Sequence, residues 1–582
     1  MLHATQRGES VARVDVEEIE FDTQLLGAMP IVNHFIGRLK LDDALDTAVP
    51  HDDARVRLAP VRVLGVLVRH LTIEHRPLYE MAEWAANYAP EPLGMNESEI
   101  VALNDDRVGR TLTRLFDANR ASLLTTVALS MVRTFEIDCS QLHNDSTSIT
   151  VTGSHYGGAQ KRGEKPVAEL TFGHSKDHRP DLRQLVWILS VSADGAVPLS
   201  YRVESGNTSD DTTHVATWDQ LRELVGRDDF LYIADGKLAS EKALRHIDVN
   251  HGRFVTVLAN NRREVTWFQH WIQDHAPTWS EARRRPARRD GDPDEVWRTF
   301  ESPLPSSGGY RVIWVHANAK QTRDAITRAA RITAGQAALE ALSTKLGGPR
   351  CRLKSAVAVE HAVESSLKNV GATRYFFTRV EEVPEESFRQ ARRGRPGPST
   401  HYVKQVSHRF TLSFNVRADV VSAEAKNDGT FALLTNDSAM TPAEVLNAYK
   451  YQPNLERRHA QLKGHQLVAP VFLKDPVRIE GLLCCHFFAL VIQALIEREI
   501  RAGMKTAQRA SIPLYPELRE CAAPSAHRVL EIFAHVARHV VRDADGVILR
   551  ICEPTLTPLQ LQVLELLGIP ASVYAATKSA SS

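Results

Sequence analysis

Residues 183–204 leave this chain the fewest options. RQLVWILSVSA is a near-continuous apolar run, Asp194-Gly195 is a hairpin turn signal, and PLSYRVE comes straight back. Two adjacent strands, one of them apolar on both faces, call for a sheet that is covered rather than left in water. The neighbouring segments extend it. Residues 135–146 (FEIDCSQLHNDS) alternate and lack helix caps, which predicts a strand ending near Asp145. After a Gly206-Asn207 turn, residues 212–225 read as a helix, 229–235 (DFLYIAD) as a strand, 240–247 as a short helix and 253–258 as a strand. The order strand-strand-strand-helix-strand-helix-strand predicts a mixed α/β sheet covered by helices.

The flanks differ. Residues 1–135 read as helical, with starts at Pro60 and Pro77 and a long pattern from Asp105 to Thr134. Arg107, Arg110 and Arg114 fall mostly away from its apolar side. That fits either a DNA-binding or dimerising region, or a helical bundle with a solvated basic face. Between residues 261 and 428 an insertion carries two basic clusters, Arg283-Arg284-Arg285 with Arg288-Arg289, and Arg389 to Arg395. It reads as helical over 320–346 and strand-like at 374–380 and 407–416. Residues 429–437 form a strand that leads into 441–463. Asp475-Pro476 caps a long helix to about Arg501, and the remainder to 582 reads as helical with a polar tail. The expected divisions are therefore 1–135, 136–260, 261–428, 429–505 and 506–582.

Composition excludes little. Lys+Arg and Asp+Glu both total 71, so only local clusters can speak for nucleic acid. The six cysteines form no C-x-x-C pair and suit neither a disulfide framework nor a zinc site, which predicts reduced thiols in a cytoplasm. The first residues, MLHATQRGES, lack the apolar core of a signal peptide. The longest apolar run, 481–496, falls short of the roughly 20 residues that span a bilayer, so a core helix and no membrane are expected.

Residues 441–463, TPAEVLNAYKYQPNLERRHAQLK, open with Thr441 as cap, Pro442 in the first turn and Glu444 three beyond the cap. Pro453 forces a kink or restart, and Gly464 is a stop. On the second helix Glu456, His459 and Lys463 share one face. Alone, that face is either a solvated ion pair or a place where a metal and a phosphate are held side by side. Tyr449, Gln452, Glu456 and Lys463 read Y-x2-Q-x3-E-x6-K. This resembles the Y-x2-R-x3-E-x6-K signature of bacterial insertion-sequence transposases of the DDE type, which have an RNase H-like catalytic core. The strand order above is similar to that core, and an insertion before the last catalytic helix is characteristic of the group. The resemblance implies that Glu456 is the third metal-binding carboxylate and that Tyr449, Gln452 and Lys463 touch transposon-end DNA. Gln452 stands where the family has arginine; it can donate a hydrogen bond to phosphate but cannot form the charged fork.

Two upstream aspartates complete the pattern: Asp145 in HNDST at the expected end of the first strand, and Asp235 in YIADGK at the end of the fourth. In the RNase H-like topology these strands are neighbours, so the two carboxylates and Glu456 would meet at one sheet end. A strand-ending aspartate is otherwise a turn residue. Three clustered carboxylates need a cation, and oxygen-only ligands select Mg²⁺, with Mn²⁺ able to substitute. The resemblance implies Mg²⁺-dependent cleavage at the element's ends and joining to target double-stranded DNA, by a homodimer that pairs the two ends. A stand-alone nuclease on the same core and a non-catalytic DNA-binding regulator are the alternatives.

Three further motifs stand outside that pattern. Arg392-Arg393-Gly394-Arg395-Pro396 looks like the core of an AT-hook, with Arg393 and Arg395 for a narrow minor groove, or is a basic loop. Trp267 and Trp271 either pack in the core or offer a ring to a flipped base, as related insertions do. His143, His155, His174 and His178 lack metal-ligand spacing and read as polar surface or DNA contacts.

Overall fold

The computed structural model describes residues 19–50, 58–74, 76–152, 161–287, 289, 291–348, 351–464, 466 and 473–575. It is a mixed α/β structure in two compact units, Met1–Phe254 with Ala448–Ser582, and Val255–Asn447.

The first unit is built around the helix Pro476–Thr506, whose side chains are buried all round from Ile479 to Glu497. A helix apolar on every side belongs in a core. It is long and apolar enough to cross a membrane, yet all of its apolar window is buried inside the protein. Asp475 caps it, accepting from the Val477 N–H at 3.0 Å. Helices Pro60–Ile73 and Asp105–Asp117 lie against it. Gly481 permits the second contact, since a Cβ there would stand 2.5 Å from the Leu112 carbonyl oxygen. Three of its buried polar side chains are matched: Arg120 donates to Glu480 at 2.9 Å, Arg458 to Glu497 at 2.8 Å, and Gln493 to the Thr72 carbonyl at 2.9 Å.

On its other side lies a sheet with strand order Pro198–Ser205, Arg183–Ser192, Gln141–Val151, Leu231–Ile233, Arg253–Val257. The first three are antiparallel neighbours, as the Asp194-Gly195 hairpin predicts. Leu231–Ile233 runs parallel to Gln141–Val151. The Asp145 strand differs from expectation. Phe135 closes the helix Arg120–Phe135, because Leu123, Val127, Met131 and Phe135 are buried at helical spacing, and Glu136 caps it in the left-handed region. The strand starts at Gln141 and continues past Asp145 through Val151.

The C-terminal region, expected to be helical, has the helices Ala526–Glu531 and Pro558–Leu566 but also strands. Ala537–Arg542 and Ile548–Cys552 form a hairpin that makes a three-stranded sheet with Glu20–Leu25. The alternation of ARHVVR and the Asp545-Gly546 turn favour strands there. Two shorter strands, Ile512–Tyr515 and Arg519–Cys521, also pair. The N-terminal region is helical but for the strand Glu20–Leu25, and its long pattern is two helices, Asp105–Asp117 and Arg120–Phe135, separated at Ala118-Asn119.

In the second unit Val255–Val257, Thr430–Thr435, Arg311–Ala317, Glu295–Glu301 and Ser280–Arg285 follow one another as antiparallel strands. Three of these strands carry no expectation above. Arg283, Arg284 and Arg285 of the first basic cluster lie on the outermost strand, and two of them have acid partners: Arg284 pairs with Glu281 at 2.8 Å and Asp294 at 3.2 Å, and Arg285 pairs with Glu295. Arg288 lies outside the described residues. In the helix Arg263–Asp274, Phe268 and Ile272 take the core positions, with Phe268 stacked 3.8 Å from Trp314. Trp267 and Trp271 are partly exposed and stack on each other at 5.7 Å. The helices Asn318–Gly347 and Ala356–Asn369 hold the base of a long hairpin, Phe376–Gln390 with Tyr402–Val416.

Candidate active site

The strands that lead to the two aspartates are parallel neighbours. Gln141 pairs with Leu231, Leu142 with Tyr232 and His143 with Ile233. The Asp145 strand continues beyond these pairs, while the other ends at Ile233, two residues before Asp235. Asp235 lies just past its strand, where it caps the short helix Gly236–Ala239 and accepts from the Lys237 N–H at 3.0 Å. The turn role of a strand-ending aspartate is thus filled as well. Burial, and then the charge of Asp145, hold the Asp235 carboxyl above the usual range. Burial raises Asp145 too, against the pull of Lys176, with Asp210 adding to the rise.

Lys176 is a member of this set that sequence reading missed. Its ammonium lies 3.6 Å from Asp145 and 3.2 Å from Asp210, and donates to the Ser146 carbonyl at 2.7 Å. Burial opposes its charge, but Asp145 and Asp210 outweigh burial and raise its pKa, with a further contribution from Asp235. Asp210 in turn accepts from the Ser146 hydroxyl at 2.6 Å. Both Lys176 and Asp210 come from connections between strands and helices, which have no period to read.

The helix Gln452–Gly464 covers the Asp145 strand. Buried Gln452 straps it down: its Oε1 accepts from His143 Nδ1 at 2.9 Å, and its Nε2 donates to the Asn144 carbonyl at 3.2 Å. His143 Nε2 then accepts from Gln141 at 2.8 Å. Burial keeps this imidazole neutral, with its pKa lowered to about 4. The expectation that Gln452 donates to phosphate therefore meets a buried side chain that is engaged inside the protein through both its oxygen and its nitrogen. His459 is buried 3.8 Å from the Asp145 carboxylate, lowered to about 3 by burial and by Lys176 and Lys463. Lys463 pairs with Asp177 at 2.5 Å rather than with Glu456.

Glu456 itself is exposed on this helix. Tyr449, on the preceding helix, has its phenol pushed up to about 12 by burial and then by the charges of Asp235, Glu456 and Asp145. Among the described residues no three His, Cys, Asp or Glu side chains stand at metal-holding spacing. The donor set at Asp145 and Asp235 nevertheless fits a hard cation: two carboxylates that burial penalises repel one another, and an ammonium is already drawn to them. Of the remaining histidines, His174 and His178 are exposed, and His155 lies outside the described residues. Arg393 and Arg395 lie far along the chain, at the tip of the second unit's hairpin.

Residues 21–129 match a family described as a domain of unknown function, DUF4277. No curated protein matches the chain. Among solved structures, the cryo-EM structure of a piggyBac transposase synaptic complex with hairpin DNA is similar over 87% of this chain and 78% of that one, at 8% identity and a TM-score of 0.36. At that score and identity nothing about this chain's function follows from the likeness.

Proposed function

We propose that the chain is a DDE-type transposase with an RNase H-like core, which binds the ends of its insertion sequence, cuts the DNA there and joins the ends to target DNA. The observation that supports this reading is that Asp145, held 3.6 Å from the Lys176 ammonium, lies near enough to Asp235 for its charge to help raise that carboxyl. Asp145 and Asp235 would hold Mg²⁺, and Glu456 would complete the set from its helix. Bound divalent ions supply activation of an attacking oxygen and stabilisation of the leaving oxygen of a phosphodiester. The chain's own residues prepare that chemistry. The parallel pairing of the strands that lead to them keeps the two carboxylates within reach of each other's charge, and the Gln452 strap holds the Glu456 helix on the Asp145 strand. Tyr449 keeps its proton at neutral pH, since burial and the nearby carboxylates push its phenol up to about 12.

The test is Asp145→Ala, Asp235→Ala and Glu456→Ala, each assayed for binding and for Mg²⁺-dependent nicking of end DNA. An ion that supplies several kcal/mol of charge stabilisation corresponds, at about 1.4 kcal/mol per tenfold, to a fall in rate of roughly a thousandfold or more. Binding should persist, since losing a carboxylate beside phosphates lessens repulsion. Normal nicking by all three variants would sink the reading. Wild-type nicking without strand joining would favour a stand-alone nuclease on the same core.

A further inference from the structure

The hairpin formed by Phe376–Gln390 and Tyr402–Val416 pairs without interruption over all 15 residues of each strand. At about 3.3 Å per residue the ribbon is roughly 50 Å long. Its base is anchored: Phe376, Phe410 and Leu412 pack with Leu339, Val359 and Val363 of the two supporting helices. Gly335 lets the longer helix approach, because a Cβ there would stand 2.5 Å from the Phe376 ring. From Glu381 to Arg389 and from Tyr402 to Arg409 every residue is exposed. The outer half is thus held by its own cross-strand pairing.

The charges of this outer half are sorted along its length. Its four acids are all engaged: Glu381 with Arg379 at 3.0 Å, and Glu382 with His408, Glu385 with Arg409 and Glu386 with Lys404, each at 2.5 Å. Beyond Glu386 no acid occurs until Asp419. Arg389, Arg392, Arg393 and Arg395 make no ion pair among the described residues and are exposed. The tip is closed behind them, with Ala391 N–H donating to the His401 carbonyl at 2.9 Å and Gly397 N–H to the Thr400 hydroxyl at 2.7 Å. Inside that closure the chain reads Arg393-Gly394-Arg395-Pro396-Gly397-Pro398. Pro396 favours extended backbone at Arg395, and open space surrounds Gly394 and Gly397.

We propose that this hairpin is an arm that lays its arginine tip into the minor groove of A·T-rich duplex DNA. The inference rests on the reading of the chain as a DNA-acting protein. A slender extended tip without a side chain at Gly394 suits a groove about 6 Å wide. Its unpaired arginines suit the deepened negative potential of a narrow A·T tract. The amino group that guanine places on the groove floor would obstruct it. The apolar residues Phe388, Val406 and Tyr402, on one face of the outer arm, offer a second copy of the chain as the competing occupant.

The experiment uses the full chain and three labelled duplexes of equal length, carrying an A·T tract, a G·C tract, or the G·C tract with inosine in place of guanine. Inosine removes the minor-groove amino group and leaves the major-groove acceptors. Wild type should bind the A·T and inosine duplexes about tenfold more tightly than the G·C duplex. The combined Arg392→Ala, Arg393→Ala, Arg395→Ala variant should lose that preference, and its salt slope should fall by about three. Conversion of Arg393 and Arg395 to Lys should retain most of the slope. Inosine behaving like guanine would overturn the groove assignment, and an alanine variant with unchanged binding would overturn the arm as a DNA contact. Loss of binding together with a changed oligomeric mass would overturn it in favour of contact between copies. Absence of any duplex binding by wild type would take the functional reading down too, whereas normal wild-type nicking beside an indifferent arm variant would leave that reading standing.

Discussion

Lys176 is the residue whose role is most open to direct test. It lies against Asp145 and Asp210 and senses Asp235, so it supplies positive charge to the same carboxylates that a divalent ion would meet. Lys176→Met should leave partly buried carboxylates without a counter-charge and cost about 1–3 kcal/mol. Thermal melting should show that loss without Mg²⁺ and a smaller one when millimolar Mg²⁺ is added, because an ion that binds only the folded state stabilises it. Equal losses with and without Mg²⁺ would separate Lys176 from the metal. Gln452 makes a second case. Family resemblance alone favours Gln452→Arg as a gain of DNA affinity, but the larger cation would enter a buried strap between His143 and Asn144. Urea unfolding should place the variant about 1–3 kcal/mol below wild type. At this scale the sequence pointed to Asp145, Asp235 and Glu456 by expected element ends, but Asp145 lies within its strand, Asp235 just past its own, and Glu456 is exposed on its helix. The buried polarity of His143, Asn144, Ser146 and Ser148 is invisible until the third dimension covers it, and it is this buried polar run that marks the site.

Among elements, the hairpin Arg183–Ser192 to Pro198–Ser205 was readable because its apolar runs and its turn are local. The grip on that turn was not readable. Arg498 donates to Asp194 at 2.7 Å, and Arg458 donates to the carbonyls of Gly195 at 2.8 Å and Ala196 at 2.9 Å, from helices hundreds of residues away. Burial works against the Asp194 charge, but the Arg498 hydrogen bond and the Asp138 N–H outweigh it and hold the carboxyl below its ordinary value. A depressed carboxylate contributes stability that is fully present above its unfolded value, near 4, and is lost as pH falls through the folded value. Asp194→Asn should therefore cost about 1–2 kcal/mol at pH 7, and the gap to wild type should close as unfolding is measured down towards about pH 3. A gap that is independent of pH would place the cost in packing. The C-terminal hairpin had its local signal in ARHVVR and Asp545-Gly546, which a helical reading passes over; only the third strand of its sheet, Glu20–Leu25, comes from too far along the chain to be read locally.

Across the whole first unit, early and late parts of the chain complete one another. Gln24 accepts from Arg538 at 2.9 Å, and Tyr574 donates to the Gly27 carbonyl at 2.9 Å. Pro60–Ile73 and Asp105–Asp117 rest on Pro476–Thr506. The segment matched by DUF4277, residues 21–129, thus lacks its own floor. Expressed alone as residues 19–135 it should aggregate, since each large apolar side chain it leaves exposed forfeits about 1.5–3 kcal/mol. Co-expression with residues 448–575 should return a soluble pair that co-purifies. A monomeric, cooperatively folding 19–135 fragment would contradict this. The same arrangement sets a clock on synthesis. Pro476 follows Asp117 by 359 residues (476 − 117), which at about 5–20 residues per second takes roughly 20–70 s. For that interval the first helices wait on the ribosome with their apolar faces uncovered. The helix that covers them then emerges apolar enough to be taken for a membrane span, and the surface already waiting for it decides where it goes.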